Sequence, residues 1–350
     1  MRSHITDFLA LLVAVAGIGL VTPLFVSPLS AEGEITITDL GSLTNDSYGE
    51  SMAWDINPLG LMIVGGSKTD LGLRHAVLWE RSESVWAIQD LGPTSGTSVY
   101  ALGINEHRQV VGDLNGHAAL WEESGNGWTV QNLPTIGRIS MAHDINAHGQ
   151  IVGNYIDSDM HAALWEDSGS GWAEQDLGKY YNAIGINDLG QIVGYYENYP
   201  TKYAVLWERS GTGWDIQALP TLGGDSMAND INALGQIVGW SFTGTGERHA
   251  VLWEKSGSDW VVQKLPDIGD YGSWGAEGIN DFGQIVGSSY YFVDIDITIG
   301  HAALWEKACG EWKVKDLDPL GSDSGASAIN NLGQIVGSSY TSGSQHATLW

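Results

Sequence analysis

The stretch Ile231–Glu254 decides the fold of this chain. It reads Ile-Asn-Ala-Leu-Gly-Gln-Ile-Val-Gly over residues 231–239, continues through a variable loop, and ends with His-Ala-Val-Leu-Trp-Glu over residues 249–254. Versions of this stretch occur seven times, and their Leu-Trp steps place tryptophans at Trp79, Trp121, Trp165, Trp207, Trp253, Trp305 and Trp350. Such a recurrence is the sequence signature of a repeat fold.

Each copy contains up to four short apolar runs. They end in Ile-Asn, in Gln-Ile-Val-Gly, in His-Ala-x-Leu-Trp and, after a Ser-Gly turn, in Trp-x-x-Gln-Asp-Leu. Runs of this length, rich in Ile, Val and Trp and bounded by Gly, Asn and Ser, predict strands, and their near-continuous apolar character indicates burial on both faces. Four strands in roughly 45 residues are typical of a propeller blade. The sequence therefore predicts an all-β, seven-bladed β-propeller of four-stranded antiparallel blades.

The two ends of the repeat region predict how the ring closes. Residues Ile35–Gly41 match the fourth run of the first copy, Trp86–Gly92, whereas the last copy ends at Trp350 after its third run. A strand near the N-terminus can therefore supply the outer strand of the last blade, which would leave no open blade edge. We expect the ring to be closed by this N-terminal strand.

The first 31 residues differ from the rest. Arg2 and His4 precede an uncharged apolar run, Phe8–Val26, and small residues follow at Ser30 and Ala31. This pattern predicts a signal peptide over residues 1–31, with an uncleaved membrane anchor as the alternative, and a single propeller over residues 32–350. The chain has one cysteine and so no internal disulfide, which fits a secreted, periplasmic or cell-surface protein.

The chain is strongly acidic, with a formal net charge of −27 at pH 7. This charge argues against nucleic acid and against anionic membrane surfaces as partners, apart from the signal or anchor segment itself. A glycan or an extracellular protein is the expected partner of a protein predicted to be a monomer.

The Leu-Gly-Gly, Ile-Asn-x-x-Gly-Gln-Ile-Val-Gly and His-Ala-x-Leu-Trp steps resemble the HAF-repeat family of predicted extracellular proteins. The copy from Thr221 to Trp253 resembles it most closely. The third residue of the His-Ala-Phe step is Val, Ala or Thr here and never Phe, and the Ser-Gly-x-Gly-Trp hairpin is longer. The resemblance implies export and a repeat fold, and it carries over no catalytic residue.

Most recurring polar residues are predicted to be structural, because each blade must stabilise itself and its neighbour. The His of the third run is expected to bond within its own blade, possible partners being Asp55, Asp144 and Asp230. The Glu that follows Leu-Trp is expected to be a solvated strand end, and Trp is expected to be mainly core.

Recognition is expected in the loops between the second and third runs and in those joining the copies, because variable loops on a rigid scaffold carry recognition. Aromatic side chains in these loops suit sugar rings or a protein partner, and packing over the blade edges is the alternative. The candidate ligand-binding residues are Tyr180, Tyr181, Tyr195, Tyr196, Tyr199, Trp240, Phe242, Tyr271, Trp274, Tyr290, Tyr291 and Phe292.

No cofactor is predicted. Calcium is a weak alternative, because Asp-x-Asp pairs occur in the same loops without a complete calcium-loop signature. The residues of these pairs are Asp157, Asp159, Asp294 and Asp296.

Sequence motifs of catalysis are lacking: there is no His-Glu-x-x-His, no phosphate loop and no Gly-x-Ser-x-Gly. The favoured interpretation is an exported, non-enzymatic scaffold that binds a glycan or protein through one propeller face. A purely structural surface protein is one alternative. The other is a polysaccharide hydrolase or lyase that uses acids at the channel mouth, namely Asp55, Asp144, Asp230 or Glu277.

Overall fold

The structure is a computed structural model that describes residues 35–44, 49–92, 99–125, 127–268, 273–294, 297–341 and 343–350. For residues 291–294 and 297–298 the backbone alone is described. The predicted signal peptide, residues 1–31, lies outside the described residues. Residues Ile35–Trp350 form one compact unit.

The unit consists of seven four-stranded antiparallel sheets, which are the seven blades of a β-propeller. The described residues contain no helix, and hence none long and apolar enough to cross a membrane. Strand β1 (Thr38–Asp39) comes before the first blade. Blade 1 contains β2 (Ser51–Ile56), β3 (Met62–Lys68), β4 (Arg74–Ser82) and β5 (Val85–Asp90), and blade 2 contains β6 (Val99–Ile104), β7 (Gln109–Leu114), β8 (His117–Ser124) and β9 (Gly127–Asn132). Blade 3 contains β10 (Ile139–Ile145), β11 (Ile151–Ile156), β12 (Met160–Asp167) and β13 (Trp172–Lys179), and blade 4 contains β14 (Tyr181–Ile186), β15 (Ile192–Asn198), β16 (Thr201–Ser210) and β17 (Gly213–Ala218). Blade 5 contains β18 (Gly223–Ile231), β19 (Ile237–Thr243), β20 (Arg248–Ser256) and β21 (Asp259–Lys264), and blade 6 contains β22 (Ser273–Ile279), β23 (Ile285–Asp294), β24 (Ile297–Ala308) and β25 (Glu311–Leu317). Blade 7 contains β26 (Ser324–Ile329), β27 (Ile335–Tyr340) and β28 (Gln345–Leu349), with β1 as its fourth strand.

Ring closure follows the prediction from the sequence. Strand β1 pairs antiparallel with β28, and Thr38 lies opposite Leu349. The amide of Leu40 donates to the carbonyl of Ala347 at 2.9 Å, which extends the pairing by one residue. The N-terminal strand therefore completes the seventh blade, and the predicted all-β, seven-bladed architecture is confirmed.

Six of the seven tryptophans of the Leu-Trp steps hydrogen-bond to the blade before their own, whereas Nε1 of Trp79 has no hydrogen-bond partner among the described residues. Their rings are buried, as predicted for core residues, and Trp79 to Trp305 in this set are at most 1% exposed. The indole Nε1 of Trp121 donates to the carbonyl of Leu91 at 3.0 Å, and that of Trp207 donates to Leu177 at 3.2 Å, in each case in the preceding blade. The same bond recurs from Trp165, Trp253, Trp305 and Trp350.

The asparagines of the Ile-Asn steps form a belt around the opposite end of the first strands. In each of six links an Asn Nδ2 donates to the Asn carbonyl of the next blade, as from Asn187 to Asn232 at 3.0 Å, and the links run from Asn105 round to Asn57. Gln191 extends the belt outward, because its Nε2 donates to Glu208 at 2.7 Å. The Glu after Leu-Trp is therefore a hydrogen-bonded member of the belt, and its prediction as a solvated strand end is wrong for this and the equivalent pairs.

Five of the six repeated histidines bond within their own blades, as predicted, but to different partners. His75 Nδ1 lies 2.9 Å from Asp90, and His301 lies 2.8 Å from Asp316, both aspartates being on the fourth strand. Strand register explains this pairing, because the third and fourth strands lie side by side, whereas Asp55 and its equivalents lie on the first strand. In the seventh blade, Asp39 of β1 takes this role with His346 at 2.8 Å.

Candidate functional site

Each first strand contains a β-bulge one residue after a buried alanine. In β2, for example, Ala53 pairs with Gly65 and Asp55 pairs with Val64, so that Trp54 has no partner on β3. A bulge turns the extra side chain away from the ladder, and here it turns it into the central channel. The seven bulge residues, one per blade, are Trp54, Leu102, His143, Ile184, Asn229, Glu277 and Ser327. All seven line one cavity of 760 Å³, which we call the channel mouth.

The channel mouth opens on the face of the variable loops. Its remaining lining comes from the starts of first strands and from the adjoining parts of second and third strands, such as Met52, Ser338 and Gln345. The asparagine belt lies at the other end of the first strands. The bulge residues differ from blade to blade, whereas the belt residues recur, so the mouth is where the repeat becomes asymmetric.

The three channel aspartates predicted as candidate acids are fixed by the blade packing. Asp144 accepts the amides of Ile145 at 2.7 Å and of Ile186, in the next blade, at 2.8 Å. Asp55 and Asp230 bridge blades 1 to 2 and 5 to 6 in the same way. Both oxygens of each carboxyl group are therefore engaged by backbone donors that join two blades, and we assign these aspartates a structural role.

Glycine alternates with these aspartates around the ring. The equivalent residues of blades 2, 4 and 6 are Gly103, Gly185 and Gly278. A Cβ at Gly185 would lie 3.0 Å from the Asn229 carbonyl oxygen of the next blade, and one at Gly103 would lie 3.1 Å from Asp144 Cα. The close approach of the inner strands thus favours glycine in these three blades, whereas blade 7 has Ala328 at the equivalent position.

Glu277 is the remaining candidate acid, and it has a different environment. Among the described residues its one hydrogen-bond donor is Asn229, whose Nδ2 lies 2.8 Å from Oε2. Burial raises the pKa of Glu277 to about 7, against the opposing effect of Arg248. At neutral pH a substantial fraction of Glu277 therefore carries a proton, as a general acid must.

His143 lines the same mouth from blade 3. Its Nδ1 lies 2.7 Å from the carbonyl oxygen of Ala183, and because that oxygen can only accept, Nδ1 carries the proton and Nε2 has the free lone pair. Burial lowers the pKa of His143, so the ring stays neutral. The mouth thus contains an acid whose raised pKa favours its protonated form, Glu277. It also contains a base whose lowered pKa favours its neutral form, His143.

Blades 6 and 7 give the mouth a side groove. In register, Gly275 pairs with Ser288 and Gly325 with Ser338, whereas blade 5 has the pair Met227 and Trp240 at this level. A second cavity of 300 Å³ is lined by Ser288, Gly325 and Ser338 of these pairs, and it shares these three residues, Trp274 and Gln345 with the mouth. The mouth and the groove are therefore continuous.

Aromatic side chains border this opening. Trp54 is 36% exposed and Trp274 is 54% exposed, and both line the mouth. Tyr290 packs edge-on against Trp274, with 6.1 Å between ring centroids. Of the predicted ligand-binding residues, the structure brings Trp274 and Tyr290 to the site.

Trp240 lies behind the mouth rather than on its surface. Its ring is 7% exposed, packs edge-on against Phe242 at 5.5 Å, and has the Arg248 guanidinium 4.4 Å from its centroid. Trp240 and Phe242 therefore support the site from blade 5.

The remaining predicted ligand-binding residues lie elsewhere. Tyr180, Tyr181 and Tyr196 pack on one another in blade 4, with Tyr181 and Tyr196 4.9 Å apart, which matches the alternative of loop packing. Tyr195 accepts a hydrogen bond from Asn182 at 3.1 Å, and Tyr199 is 95% exposed on the same blade. Tyr271 lies outside the described residues, and so do the side chains of Tyr291 and Phe292.

The weak calcium candidates are held by other contacts. Asp157 accepts the amide of Asp159 at 2.9 Å, and Asp159 pairs with Lys179 at 2.8 Å. The Asp294 side chain and Asp296 lie outside the described residues. Within the described part of the chain, no group of three or more His, Cys, Asp or Glu residues is arranged to hold a metal ion.

Three residues of the site were missed from the sequence: Asn229, Arg248 and Gly275. Asn229 is a bulge residue, and the bulge residues differ from copy to copy, so an alignment of the seven copies searched for exceptions would have drawn attention to it. Arg248 and Gly275 have equivalents in Arg74 and Gly325, so only the packing of blades 5 and 6 reveals them.

No family model and no curated protein sequence matches the chain. Among solved structures, it is similar to a puromycin hydrolase variant, with a TM-score of 0.56 and 10% identity over 85% of this chain and 50% of that one. The chain thus spans half the length of that hydrolase. It is also similar to the β-propeller domain of the Trilobed protease from Pyrococcus furiosus, with a TM-score of 0.56 and 13% identity over 86% of this chain and 93% of that one. That propeller is described as having an open Velcro topology, whereas here β1 closes the ring.

These comparisons contradict the prediction that the chain is a non-enzymatic binding scaffold. The two propellers with a TM-score of 0.56 come from a hydrolase and a protease, so the lack of a catalytic sequence motif does not make this fold a mere scaffold. At 10% and 13% identity the likeness itself shows the fold alone. An activity must therefore be argued from the side chains at the channel mouth.

Proposed function

We propose that this protein cleaves glycosidic bonds of a polysaccharide at the channel mouth, as a hydrolase or a lyase. The observation that carries the proposal is that Glu277 and His143 line one cavity, with the pKa of Glu277 raised and the pKa of His143 lowered. Two titratable groups whose environments push their pKa values apart are the mark of an acid and base pair.

Glu277 acts as the general acid. It donates its proton to the glycosidic oxygen as the bond from that oxygen to the sugar carbon breaks. In a hydrolase, Nε2 of His143 takes a proton from the water that attacks the sugar carbon, and in a lyase it takes a proton from a ring carbon. Either step needs Glu277 protonated and His143 neutral at the start, and their environments favour these states near neutral pH.

The shape of the site supports a polymeric substrate. The mouth continues into the side groove over Ser288, Gly325 and Ser338, so that a chain of sugars can extend beyond the reacting bond. Trp54 and Trp274 present exposed aromatic surface at the mouth, and such rings pack well on the apolar faces of sugars.

A polysaccharide panel tests the proposal. The full chain is incubated with neutral and acidic polysaccharides, and new chain ends are measured as reducing ends and by the ultraviolet absorbance of unsaturated ends. Reducing ends alone indicate a hydrolase, and both signals together indicate a lyase. Failure to release ends from any polysaccharide would overturn the proposed function.

We also propose that the protein works outside the cytoplasm as a monomer of the HAF-repeat type. The apolar run Phe8–Val26 and the small residues after it support export, and the repeated steps support the family. N-terminal sequencing of the protein recovered from the producing cell and its medium tests cleavage near Ala31. An N-terminus at Met1 in all fractions would exclude the cleaved form.

A further inference from the structure

A cleft opens between blades 2 and 3 on the face that carries the asparagine belt, away from the channel mouth. Its volume is 600 Å³, whereas the equivalent clefts between blades 4 and 5 and between blades 7 and 1 have volumes of 410 Å³ and 280 Å³. Glu122 of blade 2 lines it, together with Gly149, Asp167 and Trp172 of blade 3. We call this space the open cleft.

The boundary between blades 1 and 2 shows what such a set of residues binds. There the guanidinium of Arg108 forms ion pairs with Glu80 of blade 1, at 2.9 Å, and with Glu123 of blade 2. Its Cζ lies 5.8 Å from the ring centroid of Trp128. Two carboxylates and one indole, contributed by two blades, therefore hold one guanidinium group.

The open cleft has an acid and an indole in the same places one blade further on. Asp167 lies opposite Trp172 in the register of β12 and β13, as Glu123 lies opposite Trp128 in the register of β8 and β9. The third and fourth strands of blade 3 therefore present a carboxylate and an aromatic ring to the cleft, as those of blade 2 present them to Arg108.

The second carboxylate comes from the preceding blade in both places. Glu122 follows the Leu-Trp step of blade 2, as Glu80 follows that of blade 1. The cation has no equivalent, because the turn after the Ile-Asn step has Gly149 in blade 3 where blade 2 has Arg108. None of the described residues that line the open cleft is a lysine or an arginine. The open cleft is thus an arginine site without its arginine.

Each acid of the open cleft has one carboxyl oxygen without a hydrogen-bond partner among the described residues. Glu122 accepts from Nε2 of Gln109 at 2.9 Å through Oε1. Asp167 accepts the amides of Gly169 at 2.9 Å and of Gly171 at 3.2 Å, both through Oδ1. Oε2 of Glu122 and Oδ2 of Asp167 are therefore available to a ligand.

The ring of Trp172 is available as well. In blades 4 and 5 the residue opposite the equivalent tryptophan is a cation that lies over the ring, with Arg209 4.6 Å from the centroid of Trp214 and Lys255 5.2 Å from that of Trp260. In the part of the chain that the structure describes, no lysine or arginine lies over Trp172.

We propose that the open cleft binds a guanidinium group from outside the chain, with the plane of the group against Trp172 and its N–H groups directed to Glu122 and Asp167. A guanidinium stacks on aromatic rings and donates to carboxylates in a fixed, planar geometry. A free guanidine and the arginine side chain of another protein carry the same group. Because the cleft lies on the face opposite the channel mouth, this site is independent of the proposed cleavage.

Calorimetric titrations of the full chain at physiological ionic strength test the site. Agmatine supplies the guanidinium as a free small molecule, N-acetylargininamide supplies it as a blocked side chain, and N-acetylcitrullinamide is the uncharged analogue. We expect at least one guanidine to bind about tenfold more tightly than the citrulline compound, from one cation–π contact and charge-assisted hydrogen bonds. Tighter binding of agmatine indicates a small-molecule ligand, and tighter binding of N-acetylargininamide indicates a protein partner. Binding of neither guanidine, or equally tight binding of the citrulline compound, would overturn the proposal.

A pair of glycine variants assigns the binding to this cleft. Gly149→Arg supplies the guanidinium from the chain itself, at a φ of 73° where Arg108 has 62°, and should weaken binding of the added guanidine about tenfold or more. Gly190→Arg makes the same change at a φ of 74° in the equivalent turn of blade 4 and should leave the affinity unchanged. Undiminished affinity in folded Gly149→Arg would contradict the assignment. If that variant does not fold, Glu122→Gln decides, since it keeps the shape of the side chain and should weaken binding severalfold, and an unchanged affinity would refute the site.

Discussion

Asn229 donates a hydrogen bond from Nδ2 to Oε2 of Glu277 at 2.8 Å, across the boundary between blades 5 and 6. The same Nδ2 lies 2.9 Å from the carbonyl oxygen of Ala276, so the amide is held by the backbone beside the carboxyl that it orients. Two bulge residues thus fix one another, and Oε1 of Glu277 lies beside Gly275. Asn229 is a positioning residue for the proposed acid.

The rate of cleavage should follow a bell-shaped pH profile. Activity requires protonated Glu277 and neutral His143, so it should fall as pH rises above about 7 and as pH drops through the lowered pKa of His143. Arg248 opposes the upward shift of the Glu277 pKa, so Arg248→Gln should move the alkaline limb to higher pH. Initial rates measured from about pH 4 to about pH 9, in steps of roughly half a pH unit, check both points. A flat profile would contradict the acid and base assignment.

Stability should decrease as pH rises, because of the aspartates that bridge the blades. Burial raises the pKa of Asp55 to about 8, that of Asp144 to about 7 and that of Asp230 to about 6, each from 3.8. The folded chain then binds these protons more tightly than the unfolded chain, so their contribution to stability is fully present below pH 3.8 and is lost as pH rises through 6 to 8.

The variant that replaces all three aspartates with asparagine provides the control. It does not titrate at these sites, so its melting temperature should depend less on pH than that of the wild type. At pH 5 it should be less stable, by about 1 kcal/mol for each backbone donor that loses an acceptor. Identical pH slopes for the two proteins would show that these groups titrate normally.

Removing residues 35–42 should open the ring. The deletion takes away β1, with its pairing to β28 and the Asp39 to His346 bond, and leaves the edge of blade 7 uncovered. We expect the melting temperature to fall by many degrees. A synthetic peptide of residues 35–42 should restore part of the loss in proportion to its concentration, because it binds the folded form alone. An unchanged melting temperature after deletion would refute closure by this strand.

A side chain at Gly275 should disturb Glu277. The Cβ of Gly275→Ala would lie 3.3 Å from Glu277 Oε1 and 3.3 Å from Trp240 Cδ1, and the φ of +156° strains any side chain there. We expect slower cleavage and a lower melting temperature. Gly171→Ala is the control, since its φ of +123° is also positive and a Cβ there would meet no atom within 4 Å. Equal loss of activity in both variants would show that the effect is not local to Glu277.

The fold could be predicted from the sequence because the repeat reports on contacts that every blade makes. The buried Leu-Trp step and the match of Ile35–Gly41 to a fourth run gave the blade count and the closing strand. The predicted partner of His75 was wrong because the partner depends on the register between the third and fourth strands. That register places Asp90 beside His75. No spacing along the chain encodes that distance directly.

The site was less predictable for the opposite reason. It is made by single departures from the repeat, such as Asn229 and Glu277, which come together only when blades 5 and 6 are adjacent. The same adjacency explains the three aspartates that were candidate acids. In the sequence these aspartates cannot be distinguished from reactive acids. In the structure they accept hydrogen bonds from amides of the next blade, such as that of Ile186, which shows that they are structural.

The rate of glycosidic-bond cleavage in Glu277→Gln, relative to wild type on the best substrate of the panel, tests the central claim most directly. Glutamine keeps the shape of the side chain and cannot donate the proton, so kcat should fall by about a hundredfold or more. Glu254→Gln is the matched control on the asparagine belt, where Glu254 accepts from Gln236, and it should retain the wild-type rate. A Glu277→Gln protein that is folded and cleaves as fast as the wild type would contradict the account.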